Sequence, residues 1–260
     1  VNPLRRLTPG LLACAVLGPL SGTACNSVNS DPASAPEAFA GPRSRLVAEL
    51  RAEGITDDRV LSAMARVPRH LFVLPHDRDR AYVDEALPIA GNQTISQPYI
   101  VALMTQLLEL RGGERVLEVG TGSGYQAAVL ALMAREVYSI EIDPALARSA
   151  QERLHALGYA NVTVHAGDGF YGWPERAPFE AVVITAVAPE VPQPLVAQLA
   201  PGGRLVMPLG DSDRQTLVRG RKQADGTLSL ERVAAVAFVP MRGAVRQPPS
   251  SRTPSGTPGH

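Results

Sequence analysis

Three glycines stand at alternate positions in EVGTGSGYQ, and Glu118 lies two residues before the first of them, Gly120. With Gly122 and Gly124 they make a loop whose main chain can approach a ligand closely and aim helix-start N–H groups at it. A dinucleotide loop spaces its glycines G-x-G-x-x-G, the last falling inside the helix. Here the spacing is G-x-G-x-G, with Thr121 and Ser123 between. The Glu118 carboxylate would repel a pyrophosphate but accept a hydrogen bond from an ammonium group. Spacing and sign together favour the cationic donor S-adenosylmethionine over a nicotinamide dinucleotide. A glycine triplet alone is more often a turn than a site; its place between a strand and a helix is what makes it informative.

Further chemistry-bearing positions follow in order. Glu141 ends the next apolar run about twenty residues on, where an acidic side chain typically holds ribose hydroxyls; the alternative is a solvated charge at a strand end. In AGDGF, Asp168 is placed to accept from an adenine amino group and Gly169 to leave room for the ring, although a D-G pair by itself is a turn. Upstream, Gln93, Thr94 and Ser96 form a polar cluster unlike core, and Ser96 by residue type is a helix N-cap ahead of Gln97 and Pro98. His70, His76, His155 and His165 have no ligand-like spacing, so no metal site is expected and the histidines read as surface or satisfied structural groups. The alternating charges of residues 77–80 read as a solvated loop. Tyr171 and Trp173 either cover the adenine or pack beneath the loop.

These groups need a scaffold. The runs RVLEV, EVYSIE, VTVHA, AVVIT and RLVMP alternate with helical stretches at 125–134, 144–157 and 192–199. Continuous apolar strands between helices predict an α/β, Rossmann-like doubly wound fold, with a mostly parallel sheet covered on both faces. QTLVRGRK and SLERVAAVAFV, either side of Ala224-Asp225-Gly226, predict a closing antiparallel hairpin. An N-terminal helical segment is predicted over 43–53 and 57–66, with Thr56 as cap and Pro68 as stop. After an extended region through Ile95, a helix over 98–110 places Val101, Met104, Leu107 and Leu108 on one face.

The whole chain has 260 residues, 45% of them hydrophobic, and a formal net charge of zero. That suits one catalytic domain, at 43–246, with flexible ends. Lacking a clustered basic face, it gives no reason to expect nucleic acid as a partner. Cys14 and Cys25 both precede the predicted domain, which therefore has no disulfide, thiolate metal site or cysteine nucleophile. Within residues 1–42, Arg5 and Arg6 precede LLACAVLGPL, too short for an integral membrane span and the right length for a signal-peptide core. SGTAC then offers a cleavage site or lipid attachment at Cys25, although Gly22 stands where a branched apolar residue would be expected; the alternative is a misassigned start or a disordered extension. Residues 26–42 read as a linker and 247–260 as a disordered tail.

With ALPI, QTISQP, VLEVGTGSGYQ, HAGDG, ITAVAPEVP and AFVPM, the chain resembles the protein-L-isoaspartate O-methyltransferase family over about 43–242. Other methyltransferases share the glycine loop but not QTISQP. The resemblance implies a monomeric, cytoplasmic repair enzyme. It would methylate the free α-carboxyl of L-isoaspartyl residues in aged proteins and peptides, and the ester would then collapse to a succinimide. A carboxylate is already ionised at neutral pH and its attack on a sulfonium methyl neutralises charge, so catalysis is mostly positioning. By resemblance Ser96 is the catalytic residue, its hydroxyl orienting the substrate carboxylate, a role compatible with capping. Thr94, Ile95, Gln97, Thr185, Ala186 and Gln215 are assigned to the substrate by the same resemblance. One departure is Ala90-Gly91-Asn92, where the family has glycine-x-glycine; alanine resists left-handed angles, which implies a stiffer loop and bears on substrate fit. Two other readings stay open. One is a Rossmann methyltransferase acting on a small molecule; the other is a periplasmic or lipid-anchored binding protein without turnover, since the donor is made in the cytoplasm.

Overall fold

The computed structural model describes residues 38–211 and 214–246. The signal-like segment, both cysteines, most of the linker and the 247–260 tail lie outside the described residues. Helices α1 (Ala40–Ala52) and α2 (Asp58–Arg66) form the entry segment. The first begins at Ala40, inside the stretch expected to be linker, and Leu46 and Leu50 further along give it an apolar face to bury. The cap of α2 is Asp57, whose carboxylate accepts from the Arg59 amide at 2.9 Å, and not Thr56. A charged acceptor suits the positive end of a helix. Thr56 instead donates its amide to the Gln106 side chain at 2.7 Å.

The region expected to be extended contains 3-10 turns at Arg69–Leu71 and Pro75–Arg80, then an antiparallel hairpin of β1 (Leu87–Ile89) and β2 (Gln93–Ile95). The charge run is not a solvated loop throughout: Asp77 is only 4% exposed and accepts from Arg80 at 3.2 Å. His70 is a satisfied structural histidine, with Nδ1 2.8 Å from the Tyr82 hydroxyl and its ring stacked on Phe39. Burial, helped by Arg43 and Arg78, pushes its pKa down to about 4. Helix α3 (Pro98–Leu107) opens on a proline, as first helical turns allow, and stops three residues early because Glu109 turns left-handed at φ 48°.

The remaining elements alternate as the apolar runs predict. They are β3 (Arg115–Val119), α4 (Tyr125–Ala131), β4 (Glu136–Glu141), α5 (Pro144–Ala156), β5 (Val162–Ala166), β6 (Phe179–Ile184), α6 (Gln193–Gln198) and β7 (Leu199–Gly210). The antiparallel pair β8 (Gln215–Lys222) and β9 (Leu228–Val236) closes the sheet. Strand order is β5-β4-β3-β6-β7-β8-β9, parallel from β5 to β7 and antiparallel beyond. Both faces are covered. Val116, Val137 and Val183 pack with the helices α1 to α4, while Leu117, Ile140 and Val182 pack on the opposite side with Leu195 of α6. Double coverage explains why β3 is apolar along its buried length, and why Glu118 in its middle is the anomaly that marks a site.

The chain enters the sheet at β3, winds outward through β4 and β5, then returns to the other side of β3 with β6. Ligand crevices in open α/β sheets lie at such a reversal, outside the carboxyl ends of the strands. Among the described residues, no helix is long and apolar enough to cross a membrane.

Candidate active site

The loop after β3 is held from two sides. Gly120 has φ 97°, and a Cβ there would lie 2.3 Å from Thr185 Oγ1, which donates to the Gly120 carbonyl at 2.7 Å. From the β4 side, Glu141 Oε2 accepts from the Gly122 amide at 2.9 Å. Gly124 is the N-cap of α4, at φ 86°. A cleft opens above this loop, with Gln93 and Thr94 on one side, Gly120, Gly122, Glu141 and Gly169 below, and residues 239–242 opposite. Gly169 is there because the space is needed: a Cβ would fall 2.3 Å from Val119 Cγ1. An adjoining hollow is lined by Thr94, Ile95, Ser96, Thr121 and Ser123, among others. The two share Thr94, Gly120, Gly122 and Thr185, while Ala186 lines the first alone. Most residues expected at the cofactor and at the substrate therefore meet at one place.

Besides Gly124, which caps α4, four expected residues do not line either space. Glu118 is 0% exposed; its Oε2 accepts from the Ser139 hydroxyl, and its Oε1 has no partner among the described residues. Burial pushes the carboxyl up to about 8, against the Ser139 hydrogen bond and with help from the charge of Glu141. An orphaned buried acceptor two residues before the glycine loop fits a ligand that brings a cationic donor, as S-adenosylmethionine would.

Asp168 uses both oxygens on main chain, Oδ1 accepting from the Phe170 amide at 2.9 Å and Oδ2 from the Ala244 amide at 2.8 Å. Gln215 grips Phe238 in both directions, accepting from its amide at 2.6 Å and donating to its carbonyl at 3.1 Å. Between these anchors Val187 pairs with the main chain of Val239 and Met241. Asp168 and Gln215 thus fasten the segment that forms the far wall of the cleft. Asp168→Ala is expected to lower the stability of the ligand-free protein by about 1–3 kcal/mol, because two amides lose their acceptor, and to weaken cofactor binding with it. Thermal unfolding without ligand checks this; an unchanged midpoint would return Asp168 to an adenine role alone.

Gln97, the fourth, donates to Asp84 Oδ2 at 3.0 Å. The other oxygen of Asp84 accepts from the Tyr99 amide at 2.6 Å, so the start of α3 is capped from a distant turn. Ser96 is not the N-cap: that position is Gln97, with no side-chain cap bond of its own. The Ser96 hydroxyl lines the hollow without a hydrogen-bond partner among the described residues. No local spacing could have revealed Asp84, because the contact is tertiary.

The departure from glycine-x-glycine is absorbed by the turn between β1 and β2. Its left-handed residues are Gly91 at φ 70° and Asn92 at φ 53°, so Ala90 is not asked to adopt such angles. Trp173 packs 4.8 Å from the His165 ring and 5.6 Å from Tyr138, while Tyr171 is 57% exposed; neither lines the cleft.

The family model described as protein-L-isoaspartate(D-aspartate) O-methyltransferase matches residues 42–246. The chain is 54% identical over 202 residues to a protein-L-isoaspartate O-methyltransferase of Trichlorobacter lovleyi, covering 77% of this chain and 93% of that relative. A solved structure of a protein-L-isoaspartate O-methyltransferase superposes with a TM-score of 0.71 and 30% identity, over 78% of this chain and 67% of the other. A second, a Plasmodium falciparum protein described as a protein-L-isoaspartate O-methyltransferase and solved with S-adenosyl-L-homocysteine, gives 0.68 and 26%, over 77% and 98%. The sheet order, the glycine loop beneath a two-part cleft and the match across nearly all described residues agree, and the chain belongs to the protein-L-isoaspartate(D-aspartate) O-methyltransferase family.

Proposed function

We propose that this chain transfers a methyl group from S-adenosylmethionine to the free α-carboxyl of L-isoaspartyl residues in damaged proteins and peptides. The observation that carries this, beside the family match, is the meeting of two hollows at Thr94, Gly120, Gly122 and Thr185. A donor lying over the glycine loop and an acceptor lying over Ser96 would touch at that shared boundary. When bound, S-adenosylmethionine supplies an electrophilic methyl on a sulfonium centre. The rest falls to the protein. Glu141 accepts from the ribose, Gly169 leaves room for the adenine, and the loop from Gly120 to Gly124, with Thr121 and Ser123, surrounds the methionyl end.

On the substrate side, the unpartnered Ser96 hydroxyl donates to the attacking carboxylate and fixes its direction, with Thr94, Ile95 and Thr185 shaping the hollow and Ala186 reaching the substrate from the adjoining cleft. Gln97 acts one step back, through Asp84, and Gln215 through the cleft wall. A carboxylate nucleophile needs neither a strong base nor a metal ion to activate it. Residues 43–246 form the catalytic domain, acting as a monomer in the cytoplasm, where the donor is made, and the balanced charge of the chain offers nucleic acid no footprint. Methylation assays with an isoaspartyl peptide and its normal aspartyl counterpart test the reading. Incorporation is expected almost wholly into the isoaspartyl peptide. Equal labelling of the two would sink the proposal in favour of a small-molecule acceptor.

A further inference from the structure

Three side chains form a hydrogen-bonded line from the sealed interior to the wall of the hollow. Glu118 and Ser139 face each other across the β3–β4 register, and Ser139 Oγ contacts Glu118 Oε2. The same Ser139 oxygen lies 2.5 Å from Thr121 Oγ1, and Thr121 lines the hollow that holds Ser96, between the Gly120 and Gly122 that this hollow shares with the cleft. All three residues are buried, and Glu118 lines neither the cleft nor the hollow.

A hydroxyl has one proton to give and lone pairs to accept with. The direction of donation along the line is therefore set by its inner end. With Glu118 ionised, Ser139 donates to it and Thr121 donates to Ser139, which leaves Thr121 facing outward as an acceptor. With Glu118 protonated, its O–H donates to Ser139, Ser139 donates to Thr121, and Thr121 faces outward as a donor. We propose that Ser139 and Thr121 are positioning residues that relay the charge state of Glu118 to the cleft, so that the methionyl ammonium of the cofactor is recognised through Thr121 and its arrival expels a proton from Glu118 to solvent. This rests on the cofactor reading above, with its methionyl end over the glycine loop.

The surroundings of Glu118 leave the line in control. Among the described residues, Glu141 on β4 is the neighbour whose charge acts on it, and it favours the protonated form. From β6 the residue in register is Val183. On the helices that cover this face of the sheet, Gln126 donates to Thr105 at 2.9 Å and Arg69 lies over the Tyr125 ring at 4.8 Å, so these polar groups pair with one another. Near neutrality the ligand-free carboxyl is protonated, because burial has pushed it up to about 8. Binding that requires the ionised form must expel that proton below pH 8, so affinity rises with pH up to that point and levels above it.

Calorimetric titration of the full chain with S-adenosylhomocysteine, in buffers of different ionisation enthalpy, reads this directly. The expected result is release of about one proton per ligand near pH 7 and about tenfold tighter binding at pH 7 than at pH 6. Glu118→Gln removes both effects and so accounts for titration of the ligand's own amine. Thr121→Val, close in shape and able to fold, is expected to abolish proton release while Glu118 stays in place, and Ser139→Ala likewise. A purely structural role would lower affinity by the same factor at every pH. Full proton release in Thr121→Val would overturn the relay, as would binding by the unaltered chain without release. Absence of binding at any pH would remove the cofactor reading and the relay together.

Discussion

Gly120→Ala is expected to weaken S-adenosylhomocysteine binding by about 30- to 1000-fold, the equivalent of about 2–4 kcal/mol. Two costs add. At φ 97° the residue lies beyond the small left-handed region open to other amino acids, so a side chain strains the main chain by about 1–3 kcal/mol. The new Cβ would also stand 2.3 Å from Thr185 Oγ1, driving that hydroxyl off the Gly120 carbonyl and out of the shared boundary of the two hollows. Gly122 makes the internal comparison. Its φ of 52° is within the left-handed region, and a Cβ would find its nearest neighbour at 3.5 Å, so Gly122→Ala should cost far less. Thr185→Ala in the Gly120→Ala background should recover part of the loss, since it removes the overlap but not the strain. Near-normal affinity in Gly120→Ala would show that the loop does not bear on the ligand.

The second large effect is on turnover. Ser96→Ala is expected to lower kcat on an isoaspartyl peptide by about 100-fold or more, the order of effect seen when one positioned donor is lost from a reacting oxygen. Cofactor affinity and thermal midpoint should hardly move. The absence of any partner for the Ser96 hydroxyl among the described residues makes the split between turnover and stability decisive. A lost helix cap would instead cost about 1 kcal/mol of stability. Unchanged turnover would remove Ser96 from catalysis, and a fallen midpoint would restore a structural role that the geometry of α3 denies.

What could be read without coordinates divides along a physical line. The sheet was legible because burial on both faces writes itself into each strand as an unbroken apolar run, and Glu118 broke one of them. Glu141 and the glycines were legible because main-chain geometry and position at a strand end constrain residue type. The direction of a carboxylate was not. Asp168 lies at the expected strand end, yet it turns to the Ala244 amide, and Glu118 turns inward to Ser139. Both partners come from elsewhere in the chain, Ser139 through the β3–β4 register and Ala244 through the path of the last described segment. The far wall of the cleft, residues 239–242, was hidden for the same reason. AFVPM stands out as a motif, but its place at the cleft depends on Gln215 and Val187 holding it there.

That wall also sets a timetable. A ribosome releases this chain from its N-terminal end, and a nascent domain folds from the part already free. The glycine loop and Glu141 emerge long before residues 239–242, and Asp168 must wait for Ala244 before its second oxygen is occupied. A growing chain can therefore complete its parallel strands while its cleft still lacks one side. The side of the cleft that Asp168 fastens can be added only once Ala244 has been made.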